Sequence, residues 1–211
     1  MKNFKPIVFL LSIVLASPVF GQDKADVFNP TTEITWLGLD FSGAKFIGDR
    51  ERLGSESDIR HLIDAINDLM IKEADKYNVA AAIQKKTVEN AIEVTNEHNA
   101  EQDVLTMISS EGKDHIHLNP SEVEGIISSY DFKGKSGIGL MFNVESFNKL
   151  IEEGSFWITF VNMSTKEILF TERLTAPPSG FGMRNFWAGS VNGVLAKIKK
   201  KEFENWRKKH G

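Results

Sequence analysis

The segment from Gly180 to Asn185 carries the residue types best suited to hold a small ligand. Gly180 and Gly182 come just before a predicted helix, where free backbone N–H groups can bind an anion. Arg184 and Asn185 follow at the predicted helix start, where they can add a positive charge and an amide. The alternative is structural, because two glycines after two prolines are ordinary turn chemistry. A dinucleotide-binding fingerprint needs a third glycine where this chain has Asn185. We favour the structural turn and keep the ligand site as the alternative.

Two histidines supply the chain's candidate metal ligands. His115 and His117 would lie on one side of the chain if their segment were a strand, a geometry compatible with a metal ion. Three acidic residues are close in sequence, yet no third ligand is evident at a metal-binding spacing. The surrounding polar residues favour an exposed loop. We therefore predict no metal and no cofactor, with His115 and His117 as the weak candidates.

Asp40 lies near the end of the first predicted strand, the edge at which open α/β sheets bind ligands. Its alternative role is to cap the loop that follows. Catalytic signatures are otherwise missing from the sequence, which has no cysteine and no Gly-x-Ser-x-Gly elbow. Gly134-Lys135-Ser136 lacks the earlier glycine of a phosphate-binding loop and leads into a strand. No catalytic residue is therefore assigned.

Hydrophobic periodicity predicts the elements that must position these residues. Strands are predicted over 33–41, 103–109, 138–144, 155–161 and 167–172, the last two forming a hairpin. Helices are predicted to begin at Ser55, at Asn119-Pro120 and at about Arg184, the last running to Lys208. Residues 43–54 are predicted to be a loop, and 79–102 are left between helix and strand. This order predicts an α/β (α+β) fold. We expect one domain with a mixed sheet of about five strands, helices packed on it, a late hairpin and a C-terminal amphipathic helix.

Residues 1–21 have the pattern of a cleavable export signal. A positive start is followed by an apolar run over 7–16 and by small residues before Gln22. The run is shorter than the roughly 20 residues that span a bilayer. With no cysteine to carry a lipid, residues 22–211 are expected to be a single periplasmic or secreted domain that does not span the membrane after cleavage.

Charge is unevenly distributed along the mature chain. Residues 197–211 hold seven Lys or Arg against two Glu, whereas residues 22–196 hold sixteen against 27 Asp or Glu. An acidic body argues against nucleic acid as a partner. The basic end could touch an anionic surface, although we favour a solvated helix end.

Three motifs resemble those of a family of exported proteins from Bacteroidota-type bacteria without an assigned activity. They are Thr35-Trp36-Leu37-Gly38-Leu39-Asp40-Phe41-Ser42, Gly137–Leu140 with Glu145–Lys149, and Gly180-Phe181-Gly182-Met183-Arg184-Asn185-Phe186-Trp187-Ala188. The order of elements is also similar to envelope modules of the TolB N-terminal and curli-transport type. The resemblance implies a compartment and supplies no functional residues.

The function expected from the sequence is a non-enzymatic envelope or secreted module that binds or assembles with a partner. That partner is an unknown envelope protein or a small ligand. An enzyme dependent on a small molecule or a metal, with a site near Asp40, His115, His117 or Arg184, is the alternative. A surface cleft that brings these residues together would favour the enzyme, and scatter would favour the binding module.

Overall fold

The structure, a computed structural model, describes residues 22–211; the predicted export signal lies outside the described residues. Its strands are β1 Ile34–Asp40, β2 Lys45–Ile47, β3 Glu89–Asn90, β4 Ile108–Ser109, β5 Ile138–Asn148, β6 Glu153–Asn162 and β7 Glu167–Ala176. Its α-helices are α1 Lys24–Phe28, α2 Arg50–Leu53, α3 Glu56–Lys72, α4 Val79–Ala82, α5 Glu93–Ala100, α6 Val104–Met107, α7 Pro120–Ser129, α8 Met183–Lys197 and α9 Phe203–His210. A 3₁₀ turn covers Gly112–His115, and a π-helical turn, Ile198–Glu202, joins α8 to α9. No helix within residues 22–211 is long and apolar enough to cross a bilayer.

The strands form one mixed sheet that is five strands wide. β5 pairs with β6 on one side, and β6 pairs with β7, both antiparallel. On its other side β5 pairs in parallel with β1 along its first part and with β2 along its last part. β1 and β2 thus share one position in the sheet, one after the other. β3 and β4 likewise share the outer position beside β1 and β2. The expected mixed sheet and late hairpin are therefore confirmed, and the seven strands fill five positions.

Between β1 and β2 the chain leaves the sheet for residues 41–44, opposite an irregularity in β5 between Val144 and Ser146. The two interruptions place polar side chains in the middle of a buried sheet. Asp40 and Glu145 are both 0% exposed there. A buried carboxylate is costly unless donors surround it, so this break needs a dedicated polar network.

Two hydrophobic cores lie on opposite faces of the sheet, because successive strand residues point to opposite sides. Leu140 and Phe142 join the larger core with α3 and α8, while Met141 joins the smaller one with α7. Both faces of β5 are buried along its whole length. The prediction of helices packed on the sheet is confirmed.

The helix starts expected from the sequence are present. Ser55 and Asn119 each form a capping box, with Asp58 and Glu122 as the reciprocal acceptors. Pro120 occupies the first turn of α7. These caps satisfy N–H groups that would otherwise lack acceptors.

Two segments differ from the sequence prediction, and the structure assigns a third that the sequence left open. Residues 103–109 were predicted as one strand, but Val104–Met107 is a helical turn capped by Asp103 and only Ile108–Ser109 is a strand. Val104 and Met107, both buried, are three residues apart, a spacing that puts them on one face of a helix and on opposite faces of a strand. Residues 43–54 are more than a loop, because they contain β2 and α2. The unassigned segment 79–102 contains α4, β3 and α5.

The entry into α8 follows the predicted turn. Gly182 has φ +78°, the left-handed backbone for which glycine is suited. Gly189 lets the preceding turn cross the helix, since a Cβ there would lie 2.3 Å from the main-chain oxygen of Ser179. Trp187 is buried and stacks on Phe147 of β5, with ring centroids 4.6 Å apart. This stacking fixes the start of α8 against the sheet.

Candidate functional site

A cleft of about 770 Å³ lies where the start of α8 faces α2 and the start of α3. Gly182, Arg184 and Asn185 from the predicted site line it, and Gly180 lies in the turn just before it. The same wall includes Phe181, Met183, Phe186 and Trp187. The opposite wall comes from residues 51–54 at the end of α2, from the first two turns of α3, and from Lys149 after β5. The sequence-predicted ligand segment therefore forms one wall of a real surface cleft.

The cleft presents three cations, and they differ in how they are paired. Arg52 Nε lies 3.7 Å from Asp49, and Lys149 Nζ lies 3.5 Å from Glu152. Arg184 forms no salt bridge within residues 22–211; its guanidinium donates to the side-chain oxygen of the adjacent Asn185 at 3.2 and 3.3 Å. Arg184 is thus an exposed cation that is oriented but not neutralised.

The acidic groups of the cleft are Glu51 and Asp58. Asp58 is committed to the α3 cap, because its carboxylate accepts from both the hydroxyl and the main-chain N–H of Ser55, at 2.7 and 2.8 Å. These hydrogen bonds from Ser55 lower the pKa of Asp58. The carboxylate of Asp58 therefore stays charged, and its hydrogen-bond donors are the groups of the α3 cap.

The apolar part of the cleft is exposed to an unusual degree. Phe181 is 96% exposed, the highest value among the large exposed apolar side chains of residues 22–211. Beside it Met183 and Phe186 are half-buried, and the Lys149 ammonium sits 3.6 Å from the centre of the Phe186 ring. A free phenyl group at the rim of a cationic cleft is a feature that folding alone does not require.

Asp40 lies on the opposite face of the sheet, within the core covered by α7. Its carboxylate accepts from Tyr130 at 2.6 Å, from the Ser42 hydroxyl at 2.5 Å and from Asn143 at 2.9 Å. Burial first, and then the adjacent Asp40 charge, raise the pKa of Tyr130 well above its usual value. Asp40 does cap the following loop, as the alternative proposed, and it does not line the cleft.

Glu145 is the central polar residue of this face, and the sequence arguments above did not identify it. Its carboxylate accepts from the main-chain N–H groups of His117 and Leu118 at 2.8 and 2.7 Å and from Ser155 at 2.6 Å. Arg173 of β7 binds both of its oxygens, at 2.8 and 3.0 Å. A signal existed in Asn143 and Glu145, two polar residues with strand spacing at the end of the predicted strand 138–144 and just beyond it. A buried acid there requires a cation from the neighbouring strands.

His115 and His117 are not arranged to bind a metal. His115 ends a 3₁₀ turn instead of lying in a strand, and the two imidazoles face different partners. His117 contacts the main-chain oxygens of Asp114 and Gly43 at 2.7 and 3.0 Å through its two ring nitrogens. Over the described part of the chain, no group of three His, Cys, Asp or Glu side chains is placed to hold a metal ion.

His115 also lies between a serine and a glutamate, the residue types of a hydrolytic triad. Its Nδ1 is 2.7 Å from Ser146 Oγ, and its Nε2 is 3.1 Å from Glu153. Ser146 is fully buried, and its hydroxyl donates to the main-chain oxygen of His115 at 2.8 Å. A substrate cannot reach a nucleophile in that position, so these three side chains tie the loop to the sheet.

The sequence-predicted residues therefore fall into two groups on opposite faces. Gly180, Gly182, Arg184 and Asn185 surround the cleft on the α8 side. Asp40, His115 and His117 belong to buried networks on the α7 side. None of these three lines the cleft formed by residues of the described chain.

Comparisons with known proteins add little to this geometry. No protein-family model and no curated protein matches the chain. Among solved structures, a neuraminyllactose-binding hemagglutinin homolog from Helicobacter pylori is similar with a TM-score of 0.29 and 9% identity, over 84% of this chain and 91% of that one. A likeness this low supports no argument about fold or function. The resemblance to exported Bacteroidota-type proteins stays a prediction.

Proposed function

We propose that the protein is an exported, non-enzymatic binding module, periplasmic or secreted, whose cleft binds an acidic, partly apolar segment of a partner polypeptide. The proposal rests on one observation: Phe181 stands 96% exposed beside the unpaired guanidinium of Arg184. Neither side chain contributes to the core. Both are presented to whatever enters the cleft.

Charge supports an acidic occupant. Residues 22–196 are strongly acidic as a whole. The lining of the cleft nevertheless includes three cations, Arg52, Lys149 and Arg184. Of the two acidic residues in the lining, Asp58 is hydrogen-bonded within the α3 cap, whereas Glu51 belongs to no cap. A carboxylate-bearing segment would complement the unpaired Arg184 and gain a charge-assisted hydrogen bond.

The apolar rim supports a polypeptide as the occupant. An exposed aromatic ring next to half-buried Met183 and Phe186 offers surface that a side chain of a partner can cover. Aromatic residues and arginine carry much of the affinity in protein interfaces. A small inorganic anion would use Arg184 and leave Phe181 in water.

The buried networks support binding over catalysis. The residues named for the enzyme alternative are divided between two faces, and Asp40 and Ser146 are fully buried. Scatter of this kind is what the binding module predicts.

Site-specific photo-cross-linking in intact cells tests the proposal. A benzoylphenylalanine at position 181 should give one dominant adduct, and the cross-linked peptide of the partner should be acidic. The same probe at Leu105 or Ile151, which are 51% and 59% exposed, should not give that adduct. A synthetic peptide of the identified segment should then bind the purified protein.

Charge variants make the test specific. Arg184→Glu should weaken binding of that peptide by about tenfold or more, because it loses one charge-assisted bond and adds repulsion. Arg184→Lys should retain most of it. Adducts of equal yield at all three probe positions, or none at 181, contradict the proposal. The proposal is also contradicted if the amide NMR resonances of the cleft residues shift on addition of inorganic phosphate and not on addition of the peptide.

A further inference from the structure

The C-terminal helical segment carries a second exposed surface, distinct from the cleft. Ile198, Phe203 and Trp206 are buried and define its inner side. The lysines of the segment lie outside: Lys197, Lys199, Lys200, Lys201, Lys208 and Lys209 are all exposed. We call this set, with Arg207, the basic face.

Most of the charge on the basic face is not neutralised. Glu204 pairs with Arg207 and with Lys208, the latter at 3.7 Å. Lys197 donates to the main-chain oxygen of Thr175 at 2.6 Å. Lys199, Lys200, Lys201 and Lys209 form no salt bridge within residues 22–211. Four free ammonium groups therefore remain on one short stretch of an otherwise acidic chain.

The π-helical turn concentrates these charges. A π turn holds one more residue than an α turn and occurs often at functional sites. Here it contains three consecutive lysines, 199–201, while Ile198 stays buried and α9 keeps Phe203 and Trp206 on the core. The extra residue of the π turn adds a lysine to the surface. The apolar residues Ile198, Phe203 and Trp206 remain packed on the core.

The inner side of the C-terminal segment packs on the start of the described chain. Phe28 of α1 contacts Phe203 of α9, with ring centroids 5.6 Å apart. The exposed lysines are therefore left on the outer side of the segment.

We propose that the basic face binds the surface of an anionic phospholipid bilayer. Clusters of four to eight Lys or Arg bind acidic headgroups by summed attraction. Because Phe203 and Trp206 are buried in the core, the expected contact is electrostatic and falls with salt.

Vesicle co-sedimentation of the purified protein tests this inference. Binding should be strong for vesicles with a third phosphatidylglycerol and absent for pure phosphatidylcholine, and it should fall steeply with added salt. The variant Lys199→Ala/Lys200→Ala/Lys201→Ala should lose about a hundredfold in partition coefficient, since each lysine near an anionic surface contributes about fivefold.

Two matched variants separate charge from structure. Lys72→Ala/Lys113→Ala/Lys133→Ala removes the same charge from exposed positions elsewhere and should bind like the wild type. Lys199→Arg/Lys200→Arg/Lys201→Arg keeps the charge and should also bind. Equal loss in both alanine variants, binding to neutral vesicles, or binding to duplex DNA as tight as to the anionic vesicles at the same salt each overturn the inference.

Discussion

At the residue scale, the buried carboxylate of Asp40 is stabilised by neutral donors. Tyr130, Ser42 and Asn143 supply its side-chain hydrogen bonds, and Asp40 forms no salt bridge within residues 22–211. Hydrogen bonds to a charged acceptor contribute about 1.5–3 kcal/mol each. Three such bonds offset much of the cost of burying this side chain at 0% exposure.

Tyr130→Phe should change both stability and its dependence on pH. Loss of the 2.6 Å bond to Asp40 should reduce the free energy of unfolding at neutral pH by about 1.5–3 kcal/mol. The folded protein holds the Tyr130 proton to a higher pH than the unfolded chain does, because its folded pKa is raised. Wild-type stability attributable to this group is therefore full below the unfolded pKa of about 10 and is lost as pH rises above it.

Urea denaturation on either side of about pH 10 measures this prediction. Tyr130→Phe should show a shallower alkaline loss than the wild type. Asp40→Asn should also flatten the slope, because the Asp40 charge is one cause of the raised pKa of Tyr130. An unchanged slope in both variants would assign the alkaline loss to other groups.

At the element scale, helix α8 is anchored at its start and presents its first turn to solvent. Trp187 stacks on Phe147, whereas Arg184, three residues earlier, is exposed. One turn of helix thus separates a residue that packs on the sheet from an exposed residue of the proposed binding site. Substitution of Trp187 should lower stability. Substitution of Arg184 should weaken binding and leave stability nearly unchanged.

Trp187→Ala should lower the free energy of unfolding by about 3–5 kcal/mol, the usual cost of truncating a buried aromatic residue. Arg184→Ala should leave it nearly unchanged, because the side chain is exposed and its hydrogen bonds within residues 22–211 are to the adjacent Asn185. Thermal melts compare the two variants directly. A silent Trp187→Ala would show that the stacking on Phe147 does not hold α8, and a large loss from Arg184→Ala would give that residue a structural role.

At the scale of the whole molecule, one continuous helical segment carries both proposed surfaces. Arg184 is at the start of α8 and Lys199 follows its end. A rise of about 1.5 Å per residue separates the two by about 22 Å. This exceeds the Debye length of about 8–10 Å at physiological salt, so the two charged surfaces act on their partners separately.

The two surfaces should therefore be independent in double variants. The Phe181→Ala/Arg184→Glu variant should lose partner-peptide binding and keep its partition onto anionic vesicles. The triple alanine variant at 199–201 should show the reverse. Combining them should add the two effects, as expected for sites more than about 10 Å apart. A loss of both activities from either variant would indicate one shared surface.

The amino-acid pattern was sufficient for the elements whose signals are local. Capping residues Ser55 and Asn119, the hairpin, the helical periodicity before Lys208 and the glycine at position 182 each depend on near neighbours. The strand in segment 43–54 was missed because β2 exists only through partners distant in sequence. Segment 103–109 was predicted as a strand, whereas the local cap of Asp103 makes Val104–Met107 helical. β2 is extended because β5 offers it an unpaired edge beyond the end of β1.

The sequence by itself determined the mixed α/β class, the acidic body with its basic end, and the candidates around Gly180–Asn185. Only the tertiary structure decided which candidates are accessible. Asp40, His115 and His117 were folded into networks with Tyr130, Glu145 and Glu153, whereas Arg184 was left unpaired at a cleft. Hydrogen-bond partners come from residues far apart in the chain, so a side chain's neutralisation and burial are fixed by packing and cannot be read from its local spacing.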